Sequence, residues 1–144
     1  MREIGDRDLL YRVLIVSETV GAIGRSTGSV VDILGASEHN NRRDAIGSAM
    51  MFYEGQAVVL LEGMRADVDR LLKRLFADPR HRILKILSDR PIVQRRLADP
   101  VRLYALSPEQ AAECIGGRRL EDVGAEDLER LLSCDRLRVS ACAA

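Results

Sequence analysis

The chain contains no tryptophan, and aromatic residues make up only 3% of it, so stacking on aromatic rings is a poor candidate for its binding mode. Its two histidines, His39 and His81, do not have the spacing of a metal-binding pair. Cys114, Cys134 and Cys142 are odd in number, fit no zinc pattern and read as reduced thiols. Charge of one sign is also missing, because Lys plus Arg and Asp plus Glu both total 22. Proteins that hold nucleic acid through its phosphates usually carry a basic excess, so nucleic acid is not an expected partner. No apolar run approaches the ~20 residues of a membrane span, so no membrane association is expected. The charged start, Met1-Arg2-Glu3-Ile4-Gly5-Asp6, lacks the apolar core of a signal peptide, which points to a cytoplasmic location. There is no G-x-S-x-G, no P-loop and no Cys–His dyad, and carboxylates such as Glu62 are not visibly paired for acid–base work. No catalytic residue and no metal ligand is expected, and the chain does not read as an enzyme.

What remains is enough apolar material to fold. With 47% hydrophobic residues in 144, the chain can bury a real core as one domain. Residues 11–17 are short, β-branched and apolar on both faces, the pattern of a central strand. Gly21, Gly24 and Gly28 then loosen the chain, and Thr27 or Ser29 can cap a helix carrying Val30, Ile33 and Leu34 on one face. A polar loop over residues 40–44 leads to a second strand, 45–53. Glu54-Gly55 is a hairpin turn, and 56–62 returns as a third strand. Residues 66–76 repeat helically, with Val68, Leu71, Leu72, Leu75 and Phe76 on one face, and Pro79 stops them. Strands are predicted at 83–87 and 101–106. Ser107-Pro108-Glu109 opens another helix that Gly116-Gly117 ends, and 125–132 forms a last one.

The predicted order, β-α-β-β-α-β-β, is that of an α+β, ferredoxin-like sheet with two helices on one face. A domain over residues 8–106 is expected, followed by a helical extension over 107–144. The apolar faces of that extension must be buried against the sheet or a second chain, because short helices are marginal alone.

One constellation is more specific. Asn40-Asn41 follows the first predicted helix, the hairpin closes on Leu61-Glu62-Gly63, and Asp78-Pro79-Arg80-His81 follows the second helix. Together, over about residues 10–105, these resemble the BLUF family, small flavin-binding blue-light sensors used in signal transduction. The resemblance implies FAD as cofactor, with its ring between the two helices. Ile33 and Leu75 match the apolar positions either side of the ring. Asn40 and Asn41 match the amides that bond the ring edge, and Arg74, Arg80 and His81 match basic positions beside the ribityl chain and phosphates.

The match is broken where the photochemistry resides. In the family, light drives electron and proton transfer from a Tyr on the first strand, and a Gln on the third then rearranges its hydrogen bonds. The positions that resemble them hold Ile15 and Val59, which have no polar side-chain atom. Tyr11 shares the face of Ile15 but lies ~13 Å along the strand, and Gln56 is an odd step from Val59, on the opposite face. The family's Trp-Ser-Met resembles Pro100-Val101-Arg102 here, and its Gly-Ile-Thr-Gly resembles Ala45-Ile46-Gly47-Ser48. The resemblance therefore implies a degenerate photoreceptor, a flavin-binding sensory module without the usual photocycle. It would signal to a protein partner or form a homodimer through the C-terminal side of the sheet. The alternative is a flavin-free, ferredoxin-like interaction or regulatory module, its cleft empty of cofactor and filled by side chains such as Met50 and Met51.

Overall fold

The computed structural model describes residues 9–19, 40, 43–78, 81–97 and 99–139. Six strands form one sheet: β1 (Leu10–Thr19), β2 (Gly47–Tyr53), β3 (Gln56–Met64), β4 (His81–Ile92), β5 (Arg102–Ala105) and β6 (Arg138–Val139). Their spatial order is β4-β1-β3-β2-β5-β6. Among the described strands only β2 and β5 run parallel. Helix α1 (Arg65–Ala77) follows β3, and α2 (Pro108–Ile115) and α3 (Ala125–Leu131) follow β5. The α+β, ferredoxin-like architecture is the predicted one. The first predicted helix, with Val30, Ile33 and Leu34, lies outside the described residues.

β1 is central because its sequence demands it. Val13, Leu14, Ile15 and Val16 are all fully buried, alternating between the two faces. Val13 and Ile15 join Ile46 and Leu61 beneath Val68, Leu71 and Leu72 of α1. Leu14 and Val16 join Ala49, Met51, Val58, Leu60 and Tyr104 on the other face. That second face is closed by the chain's own C-terminal segment, through Ala111, Ile115, Leu120, Leu128, Leu132 and Leu137. Of the two apolar gap-fillers named from sequence, only Met50 lies on the α1 side. Met51 pairs with Val58 and belongs to the opposite core.

The β2–β3 hairpin closes on Tyr53 and Gln56, with Glu54 and Gly55 both at positive φ, the backbone a two-residue turn requires. The segment before β5 crosses β2 very closely. A Cβ on Gly47 would lie 2.2 Å from the Leu97 carbonyl oxygen, so only glycine fits there. Ser107 caps α2 in a reciprocal capping box with Gln110, and Gly116 ends it at φ 61°.

Two strands depart from expectation. The strand predicted at 83–87 runs from His81 to Ile92. Its second half, with Ser88, Asp89, Arg90 and Pro91, lacks strand character, but β4 is an edge strand, where polar residues and proline are tolerated. β6 was not foreseen, because two residues carry no periodic signal. It pairs with β5 and is clipped there by Asp99, which accepts from Arg102 at 2.7 Å and Arg138 at 3.0 Å.

Candidate functional site

The α1-facing side of the sheet presents a row of apolar side chains fixed by strand register. Ile15 on β1 stands directly opposite Val59 on β3, and Val59 opposite Met50 on β2. The hairpin sets the second pairing, since closure at Tyr53 and Gln56 leaves no other register. Ile15 is fully buried and Met50 nearly so. Nothing in this row donates or accepts a strong hydrogen bond. Leu75, on the last turns of α1, packs half-buried against the same cluster.

The polar groups with sequence-level claims on this row are engaged elsewhere. Tyr11 is in register with Gly63 at the far end of β1, its ring 4.6 Å from the guanidinium carbon of Arg65. Gln56 is buried on the opposite face, where its carbonyl accepts the Glu121 amide at 3.3 Å.

At the edge of the row a charged cluster joins the loop before β2 to α1. The Asp44 carboxylate is almost wholly buried and meets three guanidiniums. Arg43 lies 3.1 Å away, while Arg70 and Arg74, one helical turn apart on α1, each approach to 3.5 Å. The Arg43 hydrogen bond, with the charges of Arg43, Arg70 and Arg74, holds the Asp44 carboxyl below its ordinary value against the upward push of burial. Arg70 also reaches Asp67 at 3.3 Å, so among the described residues three guanidiniums face two carboxylates. The Asp44 amide donates to the Asn40 carbonyl at 3.0 Å, which ties this carboxylate to the asparagine loop. Ala45 then turns the chain at φ 54°, and Ile46 drops into the core.

Of the residues singled out from sequence, Asn40, Arg74 and Leu75 are placed here, around one end of α1 and the loop facing it. Ile33, Asn41 and Arg80 lie outside the described residues, as does the side chain of His81, whose backbone begins β4. Sequence reasoning missed Asp44 and Arg70. The i, i+4 spacing of Arg70 and Arg74 was the available signal, but it reads equally as a solvated helix face. It also missed the pairing of Glu62, which is fully buried opposite Arg12. Its Oε2 accepts from the Arg12 guanidinium, and its Oε1 accepts the Arg96 and Leu97 amides at 2.8 Å each. This carboxylate holds the segment before β5 in place.

These groups fit a flavin nucleotide in part of its chemistry. Clustered guanidiniums suit a phosphate ester, and the leucine-lined flank of α1 suits a ring face. The sheet floor, Ile15–Val59–Met50, offers no hydrogen-bonding side chain to a polar ring edge. Among the described residues no group of His, Cys, Asp and Glu is placed to hold a metal, and no helix is long and apolar enough to cross a membrane.

The chain has known counterparts in sequence and in fold. Residues 10–100 match the family described as sensors of blue-light using FAD. No curated protein matches the chain. Among solved structures, BlsA in its ground state superposes with a TM-score of 0.79 at 16% identity, over 94% of this chain and 95% of that one. The BLUF protein BlrB in its dark state gives 0.72 at 24% identity, over 88% and 93%. A bacterial light-regulated adenylyl cyclase gives 0.67 at 25% identity, over 76% of this chain but only 32% of the cyclase. The chain thus spans about a third of the cyclase's length. It belongs to the BLUF family, the flavin-binding sensors of blue light.

Proposed function

We propose that this BLUF module binds FAD between α1 and the asparagine loop and signals without the family's Tyr–Gln photocycle. In this reading Asn40 and Asn41 bond the ring edge, Ile33 and Leu75 flank the ring, and Arg74, Arg80 and His81 lie toward the ribityl chain and phosphates. Bound flavin would supply the light absorption and redox chemistry. The chain's own residues would hold it, exclude water from its apolar faces and neutralise its phosphates.

One observation carries the proposal. Ile15 and Val59 face each other in register, are both hydrocarbon, and have Met50 as their only cross-strand extension toward β2. A side chain with no titratable or hydrogen-bonding atom can neither give up a proton nor exchange one hydrogen bond for another. Signalling would then pass to another protein, or to a second copy, across the outer surface of the C-terminal segment, because the sheet face beneath is already filled. The match to part of a light-regulated cyclase supports an arrangement in which a module of this kind governs a separate effector.

The experiment is restoration. Wild type and the Ile15→Tyr/Val59→Gln double variant are loaded with FAD and illuminated with blue light. The double variant is expected to gain a reversible red shift of the flavin band that wild type lacks. Equal shifts in both proteins would contradict the proposal.

A further inference from the structure

The geometry points to Asp44 as a positioning residue for the flavin, a buried latch that sets the distance between the asparagine loop and α1. This inference rests on the flavin site proposed above and adds a residue that is not itself one of the proposed ring or phosphate contacts.

Three observations converge on it. First, only 6% of the Asp44 side chain is exposed, yet it belongs to neither apolar core cluster. A charge so placed is costly unless it is paired. Second, its partners come from two elements. Arg43 belongs to its own loop, whereas Arg70 and Arg74 belong to α1 and approach from two successive turns at 3.5 Å each. In the proposed site Arg74 is one of the residues toward the phosphates, and Leu75 beside it flanks the ring. Third, the backbone of Asp44 is fixed to the loop, its amide donating to Asn40 at 3.0 Å, and Ala45 beyond it is held at φ 54°, a conformation an alanine adopts only when its surroundings impose it. One residue therefore grips Asn40 through its backbone and Arg74 through its side chain.

Two roles for this carboxylate make opposite predictions. As a counter-charge alone, Asp44 competes with flavin phosphate for Arg70 and Arg74, so its removal would tighten binding of phosphorylated flavin and leave unphosphorylated flavin unaffected. As a latch, it holds the loop amide in bonding range of the ring, so its removal weakens binding even of a ligand without phosphate. Riboflavin, which has the ring and no phosphate, separates the two.

The test titrates riboflavin and FAD into wild type, Asp44→Asn and Asp44→Glu, following quenching of flavin fluorescence, with the melting temperature of the ligand-free proteins as control. The latch predicts that Asp44→Asn raises the riboflavin Kd about tenfold, the cost of misplacing one buried ring contact. It also predicts a smaller change for FAD, because the freed guanidiniums partly compensate, and partial recovery in Asp44→Glu. An unchanged riboflavin Kd in Asp44→Asn, whatever happens to the melting temperature, overturns the latch while leaving the flavin site intact. A wild type that takes up neither ligand overturns the site itself, and the latch with it.

Discussion

At the scale of single residues, buried charge decides more than any other feature. Glu62 is fully buried with four donors around it, two from Arg12 and one each from the Arg96 and Leu97 amides. Removing one member of such a pair strands the other in a low dielectric, so Glu62→Gln should cost about 3 kcal/mol of stability. Chemical denaturation of the variant measures this, and a loss below about 1 kcal/mol would show that Arg12 finds another partner. Asp44 gives a second residue-level prediction. Its folded carboxyl titrates below the range of a free one, with Arg43, Arg70 and Arg74 facing it. The folded state therefore binds fewer protons than the unfolded chain, and stability present above the ordinary carboxylate range is lost as pH falls through the lowered value. Denaturation midpoints against pH should fall less steeply in Asp44→Asn than in wild type, and parallel curves would contradict the assignment. None of these pairings was legible in the sequence. Arg12 and Glu62 are fifty positions apart and meet only through β1–β3 register, and Asp44 reads as one more member of a polar loop.

Elements were more readable where local chemistry specifies them. The Glu54-Gly55 turn, the Ser107-Pro108 opening of α2 and the apolar stripe of α1 as far as Leu75 appear where the sequence placed them, because turn backbone, capping and helical period act over a few residues, whereas Phe76, expected on the same stripe, is exposed. At α2 the capping box predicts that Ser107→Ala loses about 1 kcal/mol, read from the thermal midpoint. No change there would mean that tertiary packing of Ala111 and Ile115 alone holds the helix. Legibility failed where an element's identity depends on its neighbours. The polar half of β4 is a strand only because β1 pairs with it along its whole length, from Leu10–Ile92 to Thr19–His81. β6 exists only because β5 offers an open edge. In the candidate site the sequence exposed the apolar row at Ile15 and Val59 through alternation, but not its extension to Met50, which required the hairpin register.

For the whole molecule, the sheet is covered on both faces, and the second cover is the C-terminal segment. Leu14, Val16, Met51, Val58, Leu60 and Tyr104 share a core with residues from α2 to Leu137. Deleting residues 107–144 should bare that face and cause aggregation or a change of assembly state, as surfaces of this kind associate. Light scattering on both forms measures it, and a truncated protein that stays monodisperse with unchanged stability would show the segment to be dispensable. In the proposed function a BLUF fold keeps its flavin-binding frame while the two positions that resemble the photoactive pair, Ile15 and Val59, are hydrocarbon. The light-minus-dark absorption spectrum of the FAD-loaded wild-type protein tests it most directly. Bound flavin with no reversible red shift under blue light is the predicted result, and a reversible red shift in the wild-type protein would contradict it.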